Sequence, residues 1–380
     1  MKHRSHSRNG IRTLTSPVGS GRPATALTAI TTTDFQEWRR ASNARENVEE
    51  GHAYYNDPSP VPPPEKHTPS SLLQCHRKLV YRKENAPAET EMAQGILWVG
   101  TRFEEDVVLP YLRDAVDDDG LLVTNSLYVD FEIETDAGAL VVKGSTDPVV
   151  VDDNGVPILP TEVKTKGSLE YLDEPNEHHK AQLHAYMVGL SEKYDVEVKQ
   201  GCLIYGDRDS FDLKVFDVEF DTEFWQETVV SWATEHTEYR LDGELPPATP
   251  RFGWECDFCS YRERCGKSNR PVSDRRSRGF LPLMEYPRSQ VVEHLKAEPD
   301  AMLTPTLAER YPDLAAEHGV SQWRCTACSK QFDHDEVDWG GDTDTPPLCG
   351  CCARQDTPAP LTGPWPPAYS DEIAEGERSE

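Results

Sequence analysis

Apolar positions recur along this chain first at helical spacing and then at strand spacing. From Thr90 to Ala115, the series Met92, Ile96, Val99, Phe103, Val107, Leu109 and Leu112 predicts one long helix, bent at Pro110 because proline has no amide proton to donate. The period then falls to two. Leu121–Val129, Phe131–Thr135, Ala139–Val142, Asp147–Val151 and Ile158–Lys164 are short, β-branched runs separated by turns such as Asp152-Asp153-Asn154-Gly155, and they predict a strand meander. Glu177–Leu190 returns to helix. Strands are expected near Cys202–Tyr205 and over Leu213–Phe220, and a helix over Thr222–Leu241. This order of elements describes an α/β sheet flanked by helices.

At the flanks, the run Thr31-Thr32-Thr33-Asp34 caps a polar helix reaching Glu50, and Pro58 to Pro64 is an extended spacer. Pro69-Ser70-Ser71 then caps a second helix containing Cys75. Two short helices, Ser289–Ala297 and Thr306–His318, lie in a later stretch punctuated by Pro and Arg. The chain accordingly divides into a disordered segment 1–33, a main domain 34–269, a linker with short helices 270–320, a cysteine module 321–355 and a disordered acidic tail 356–380. No stretch reaches the ~18 to 20 apolar residues that cross a membrane, and the N-terminus lacks an apolar signal segment, so the expected compartment is the cytoplasm.

Charge complicates any nucleic-acid reading. Asp plus Glu number 67 against 39 Lys plus Arg, a formal net charge of -28, which by itself disfavours a phosphate partner. The acidic residues are dispersed from end to end and Arg outnumbers Lys, 25 to 14. Such a surface suits a halophilic source, where screening shortens to about 3 Å at 1 M salt and long-range repulsion of DNA is muted.

Candidate chemistry centres on Asp147 and on Glu162-Val163-Lys164 one hairpin later. Positions two apart on a strand face the same side, so Glu162 and Lys164 point together while Val163 and Thr165 face the opposite layer. Two carboxylates on neighbouring strands repel each other in a partly buried site, and a divalent cation relieves that repulsion. Taken singly, Glu-x-Lys on a strand is an ordinary surface pair and Asp before Pro148 an ordinary turn former. Their company changes the reading. The helix that follows carries His178, Gln182 and Tyr186 at successive i, i+4 steps, and Gly100-Thr101-Arg102-Phe103-Glu104-Glu105 places carboxylates on the long helix upstream.

Over roughly Ser70 to Lys267 these features, in this order (G-x-x-D ending at Asp147, E-x-K at Glu162 to Lys164, Q-x-x-x-Y at Gln182 to Tyr186), resemble the RecB-like branch of the PD-(D/E)XK nucleases. The resemblance implies a restriction-endonuclease-like mixed sheet and metal-dependent hydrolysis of DNA phosphodiesters, with single-stranded ends favoured. It implies that Asp147, Glu162 and Glu104 ligate Mg²⁺ or Mn²⁺, that Lys164 orients the attacking water, and that Gln182 and Tyr186 position the substrate. Many relatives carry histidine where Glu104 stands, and Glu105 is the rival for that place.

Ten cysteines in a cytoplasmic chain point to metal rather than disulfides. Cys325-x2-Cys328, then Cys349 and Cys352, have the spacing of a zinc ribbon, with Cys351 an ambiguity in the second knuckle and His334 a further potential ligand. A ribbon of this kind binds DNA or a partner protein, or simply stabilises a small module. Cys256-x2-Cys259-x5-Cys265 lacks a fourth ligand. In the RecB-like subset that includes AddB subunits and CRISPR-associated adaptation exonucleases, one upstream cysteine completes such a trio around a 4Fe-4S cluster. The resemblance therefore implies that Cys75, Cys256, Cys259 and Cys265 form an iron-sulfur staple over a helical cap. Four thiolates also suit zinc, and Cys202 competes with Cys75.

Overall fold

The computed structural model describes residues 65–91, 94–116, 120–268 and 278–365, together with 27–30 and scattered positions from 34 to 45. The polyproline spacer, most of the expected disordered segment 1–33 and the tail beyond 365 lie outside the described residues. The chain divides into two units between Ser59 and Pro60, inside the expected 34–269 domain. In the first unit the described residues from 35 to 45 are helical, and the Asp34 carboxylate accepts from Glu37 N at 3.0 Å, the expected N-cap.

In the second unit, the predicted meander is split between two sheets. Strands β3 (Tyr128–Thr135) and β4 (Gly138–Ser145) pair antiparallel, and β1 (Lys66–His67) joins β4 in parallel. The other sheet is mixed and five-stranded, in the order β2 (Leu122–Thr124), β5 (Val149–Val151), β6 (Pro157–Lys166), β7 (Gln200–Asp207), β8 (Leu213–Glu219). Only β6 and β7 run parallel. The chain passes from one sheet to the other at Thr146-Asp147-Pro148. There Thr146 N donates to Leu127 O, and the Pro148 carbonyl accepts from both Thr161 N and Thr161 Oγ1. Asp147 thus sits at a junction rather than within a strand.

The expected second helix begins later than its sequence signals suggest. Pro69–Ser71 form a short 3-10 turn, and the α-helix proper, α1 (His76–Lys83), has Cys75 as its N-cap residue. The long helix divides into α2 (Gln94–Phe103), a π turn Glu104–Val108 and α3 (Leu109–Val116). Pro110 has no N–H for the Asp106 carbonyl, and the helix absorbs the defect upstream of the proline, with Leu109 N bonded five residues back to Glu104 O. Its apolar stripe is only half used. Phe103, Val108 and Leu109 are buried, with Phe103 and Val108 packed on Val163 and Ile204, whereas Ile96 and Val99 are exposed. Gly206 is required at this contact, because a Cβ there would stand 2.2 Å from the Phe103 ring.

Helix α4 (Glu177–Tyr194) packs into the main core with β3 and β7 through Leu183, Tyr186, Met187 and Leu190. A π turn, Trp225–Val230, leads into α5 (Ser231–Asp242). Residues 280–320, expected as a linker, carry a core of their own in which Phe280, Tyr286, Val291, Leu303 and Leu307 are buried. The expected helix over Thr306–His318 is broken into Pro305–Arg310 and Pro312–Glu317, since Pro312 cannot continue the first and starts the second. The last sheet has the order β10 (Gln331–Phe332), β9 (Trp323–Cys325), β11 (Leu361–Thr362). It runs past the expected boundary at 355, because β11 pairs with β9.

Candidate active site and cysteine centres

Strand β6 sets the site. Its alternation buries Val163 against Phe103 on one face and turns Glu162 and Lys164 to the other, beside Leu203 and Tyr205 of β7. Glu162 is fully buried, and neither carboxylate oxygen has a regular hydrogen bond. Its counter-charge is Lys164, whose ammonium contacts Glu162 Oε1. Asp147 is fastened from the junction, its Oδ2 accepting from Val163 N at 2.7 Å. On the helix, Glu105 pairs with Arg102 at 3.3 Å, while the charges felt most by Glu104 are those of Asp147, Glu162 and Lys164, with Glu105 a smaller one.

The electrostatics are those of an overcrowded anion site. Burial, then the charges of Asp147 and Glu162, push the Glu104 carboxyl up to about 9. Burial, then Asp147, push Glu162 up to about 8, and burial raises Asp147. Burial pulls Lys164 down, but Glu162 and Asp147 more than offset it and hold its ammonium above the ordinary lysine range. Three carboxyl groups that raise one another's pKa about a single lysine are the kind of oxygen donors a hard divalent cation takes, although their ligand atoms do not all lie within 4.8 Å of one another.

Gln182 and Tyr186 come together here but lie beneath the site. Gln182 Nε2 donates to Tyr186 Oη at 2.8 Å, both side chains are buried, and the Tyr186 hydroxyl interacts with Glu162. His178 faces a neighbouring groove. Sequence reasoning missed His179 and Tyr205, whose Nδ1 and Oη meet at 2.8 Å and whose hydroxyl also accepts from Asn176 N at the start of α4. No periodicity marks such a pair, because the two residues belong to elements that meet only in the folded chain.

The two cysteine sets differ in geometry. Among the described residues, only Cys325, Cys328, Cys349 and Cys352 bring ligand atoms of at least three His, Cys, Asp or Glu residues within 4.8 Å of one another. Their sulfurs lie 3.6 Å (Cys325 to Cys352) and 3.8 Å (Cys328 to Cys349) apart. Cys325 Sγ accepts from Ala327 N and Cys328 N, both at 3.4 Å, and these backbone donors hold its thiol down to about 6. Cys351 stands outside the quartet, in contact with Lys330 and Arg354, and His334 is exposed elsewhere.

Cys75, Cys256, Cys259 and Cys265 instead line a small, half-open cavity of about 20 Å³, together with Arg77 and Lys78. Burial raises the thiols of Cys75 and Cys265 and pushes Cys259 up to about 11. Buried carboxylates brace this cap. Glu255 accepts from Cys75 N at 3.1 Å, and Glu89 accepts from Glu263 N and Arg264 N, each at 2.7 Å. Sequence signals flagged none of these three braces, Glu89, Glu255 and Arg264. Cys202 lies elsewhere, at the edge of the Phe103–Val163 core.

The profile of the PD-(D/E)XK nuclease superfamily matches residues 48–266, more than half of the chain, and the chain belongs to that family. Among curated proteins it is similar to the CRISPR-associated exonuclease Cas4 of Saccharolobus solfataricus, 29% identical over 202 residues that cover 52% of this chain and 85% of the relative. A solved structure, that of SSO0001, aligns at a TM-score of 0.39 and 19% identity over 64% of this chain and 98% of that one, a likeness too low to bear on the site. The mixed sheet flanked by helices agrees with the family. Among the described residues no helix is long and apolar enough to cross a membrane.

Proposed function

We propose that this nuclease is a RecB-like, metal-dependent deoxyribonuclease that degrades single-stranded DNA from its ends, in repair, recombination or CRISPR adaptation. The observation that carries the reading is the buried Glu162, met by Lys164 and the Tyr186 hydroxyl, with the charges of Asp147 and Glu104 acting on the same site. The similarity to a Cas4 exonuclease supports the choice of DNA ends.

Asp147, Glu162 and Glu104 would hold Mg²⁺ or Mn²⁺. A divalent cation in such a site acidifies water and offsets the charge gained by the phosphate. The protein's own part is positional. Asp147 is aimed by its bond to Val163 N, and Gln182 fixes Tyr186 against Glu162, which keeps that carboxylate in place. Lys164 keeps its proton, so it orients the attacking water and stabilises negative charge on the phosphate.

The cap cysteines Cys75, Cys256, Cys259 and Cys265 would hold a 4Fe-4S cluster, a reading supported by the convergence of all four on one site beside Arg77 and Lys78. The ribbon quartet would hold zinc, since tetrahedral Zn–S bonds of about 2.3 Å set sulfurs about 3.8 Å apart. The ribbon serves as a contact for DNA or a protein partner. A halophilic, cytoplasmic setting fits the dispersed acidic composition.

The test is cleavage of 5′- and 3′-labelled single- and double-stranded DNA with Mn²⁺. Progressive shortening of the single strand is expected, with Asp147→Ala, Glu162→Ala and Lys164→Ala inactive but folded, and Glu104→Ala more impaired than Glu105→Ala. Cleavage by the wild type in excess chelator, or undiminished cleavage by Asp147→Ala, would overturn the assignment.

A further inference from the structure

Beside Lys164 lies an open groove of about 530 Å³, lined along β6 by Lys166, at the start of α4 by His178, and opposite them by Phe252 and Trp254. Phe252 and Trp254 are stacked, ring centroids 5.9 Å apart and 19° from parallel, and Trp254 is 48% exposed. The His178 ring leans on both, at 5.6 Å and 5.2 Å. An exposed indole beside a half-buried phenyl ring is an unfinished stack. Burial, then Lys164 and Lys166, push His178 down to about 4, so near neutral pH its ring is an uncharged surface and not a cation. The acid in the groove, Glu177, is paired with Arg251, and Lys164 with Glu162, which leaves Lys166 facing the groove in a chain of net charge -28.

We propose that Trp254, supported by Phe252 and His178, stacks on an unpaired base next to the phosphate held at Lys164, so that the groove selects a strand whose bases are free of a complement. The proposal rests on the nuclease reading, since the chemistry at Lys164 is what places the phosphate. Stacking needs a free π-face and tolerates any base, whereas a paired base in a duplex offers its face to its neighbours. The platform is mounted on the short turn Gly253–Phe258, which follows Phe252 and also carries Cys256 and Glu255. The cap therefore fixes where the platform stands.

The experiment is binding of the full-length protein to a fluorescent oligothymidylate in Ca²⁺, repeated with one abasic position moved along the strand. For the wild type, one abasic position should weaken binding roughly ten- to a hundredfold, the range for an aromatic–base stack. Trp254→Ala should lose a similar factor on the intact oligonucleotide and should no longer respond to that abasic position, while Trp254→Phe recovers most of the affinity. Melting temperatures of the three proteins separate lost stacking from lost fold. Wild-type binding indifferent to every abasic position, or Trp254→Ala binding that is normal or still abasic-sensitive, overturns the inference, as does absence of binding by the wild type. Wild-type hydrolysis of the base-free diester bis(4-nitrophenyl) phosphate with Mn²⁺ tests the nuclease reading separately. If neither DNA nor this diester is cleaved, that reading fails while the abasic series still decides the stack.

Discussion

Four sulfurs close on one another in the ribbon, while four others stand around a cavity in the cap. The ribbon ligands lie within 28 positions of sequence, from Cys325 to Cys352, and arrive on two tight turns, the first of which already aims its Ala327 and Cys328 amides at Cys325 Sγ. The cap ligands include Cys75, at the start of α1, and three cysteines that follow the whole sheet and α5. A single ion needs touching sulfurs; a four-iron cube needs room between them. With metal bound, the two quartets would differ in what they close: the ribbon quartet would organise a small module, and the cap quartet would tie the first helix of the nuclease fold to its last segment.

That difference predicts unequal consequences of the same substitution. Cys256→Ser should remove the brown colour and the iron of anaerobically purified protein and lower stability by roughly 4 to 5 kcal/mol, the value for a cross-link closing a loop of order a hundred residues or more. Cys325→Ser should release zinc and leave the iron, the colour and the main melting transition in place. Metal analysis with thermal melts decides it, and two zincs with no iron in the wild type would abolish the distinction.

Truncation sharpens the comparison from the other side. A chain ending at Ser321 lacks the ribbon and should still cleave short DNA. A chain ending at Ser268 should be less stable by several kcal/mol as judged by denaturant midpoint, because buried Arg264 then loses its acceptors Gly279 O and Tyr286 Oη. Equal loss in both truncations would place the ribbon in the same cooperative unit as the cap.

The carboxylate site differs from both cysteine centres in gathering two acids pushed far above their ordinary range. Glu104 and Glu162 have folded pKa values near 9 and 8 against an ordinary 4.5, so the folded protein binds protons that the unfolded chain releases. Stability of the protein stripped of divalent cations should therefore be full below about pH 4.5 as far as these two groups are concerned, and fall as pH rises toward 9. Mn²⁺ should raise the melting temperature most at the alkaline end. A chelated protein whose stability rises over this window would contradict the crowded-anion description.

The smallest effect belongs to Cys202. Its thiol, pushed up to about 11 by burial and then by Asp217, sits at the edge of the Phe103 core. Cys202→Ser should leave the visible spectrum unchanged and cost about 1 kcal/mol or less. Bleaching there, with Cys75→Ser still brown, would exchange the fourth ligand of the cap.

Much of this arrangement could be read from residue order, because its cause is local. Strand alternation sends Glu162 and Lys164 to one face and Val163 to the other whatever the rest of the chain does, and the x2 spacing of Cys325 and Cys328 shapes a knuckle within one turn. The helix at Glu177 and the cap at Asp34 follow from similarly short-range preferences. Long-range closure obeys no such local rule. Folding alone split the meander at Asp147, moved the helix irregularity from Pro110 to Glu104, buried Gln182 and Tyr186 beneath Glu162, and brought Glu89, Glu255 and Arg264 to brace the cap. Each of these depends on which distant surfaces bury one another and which buried polar atoms must then find partners, and neither periodicity nor spacing along a chain encodes that pairing.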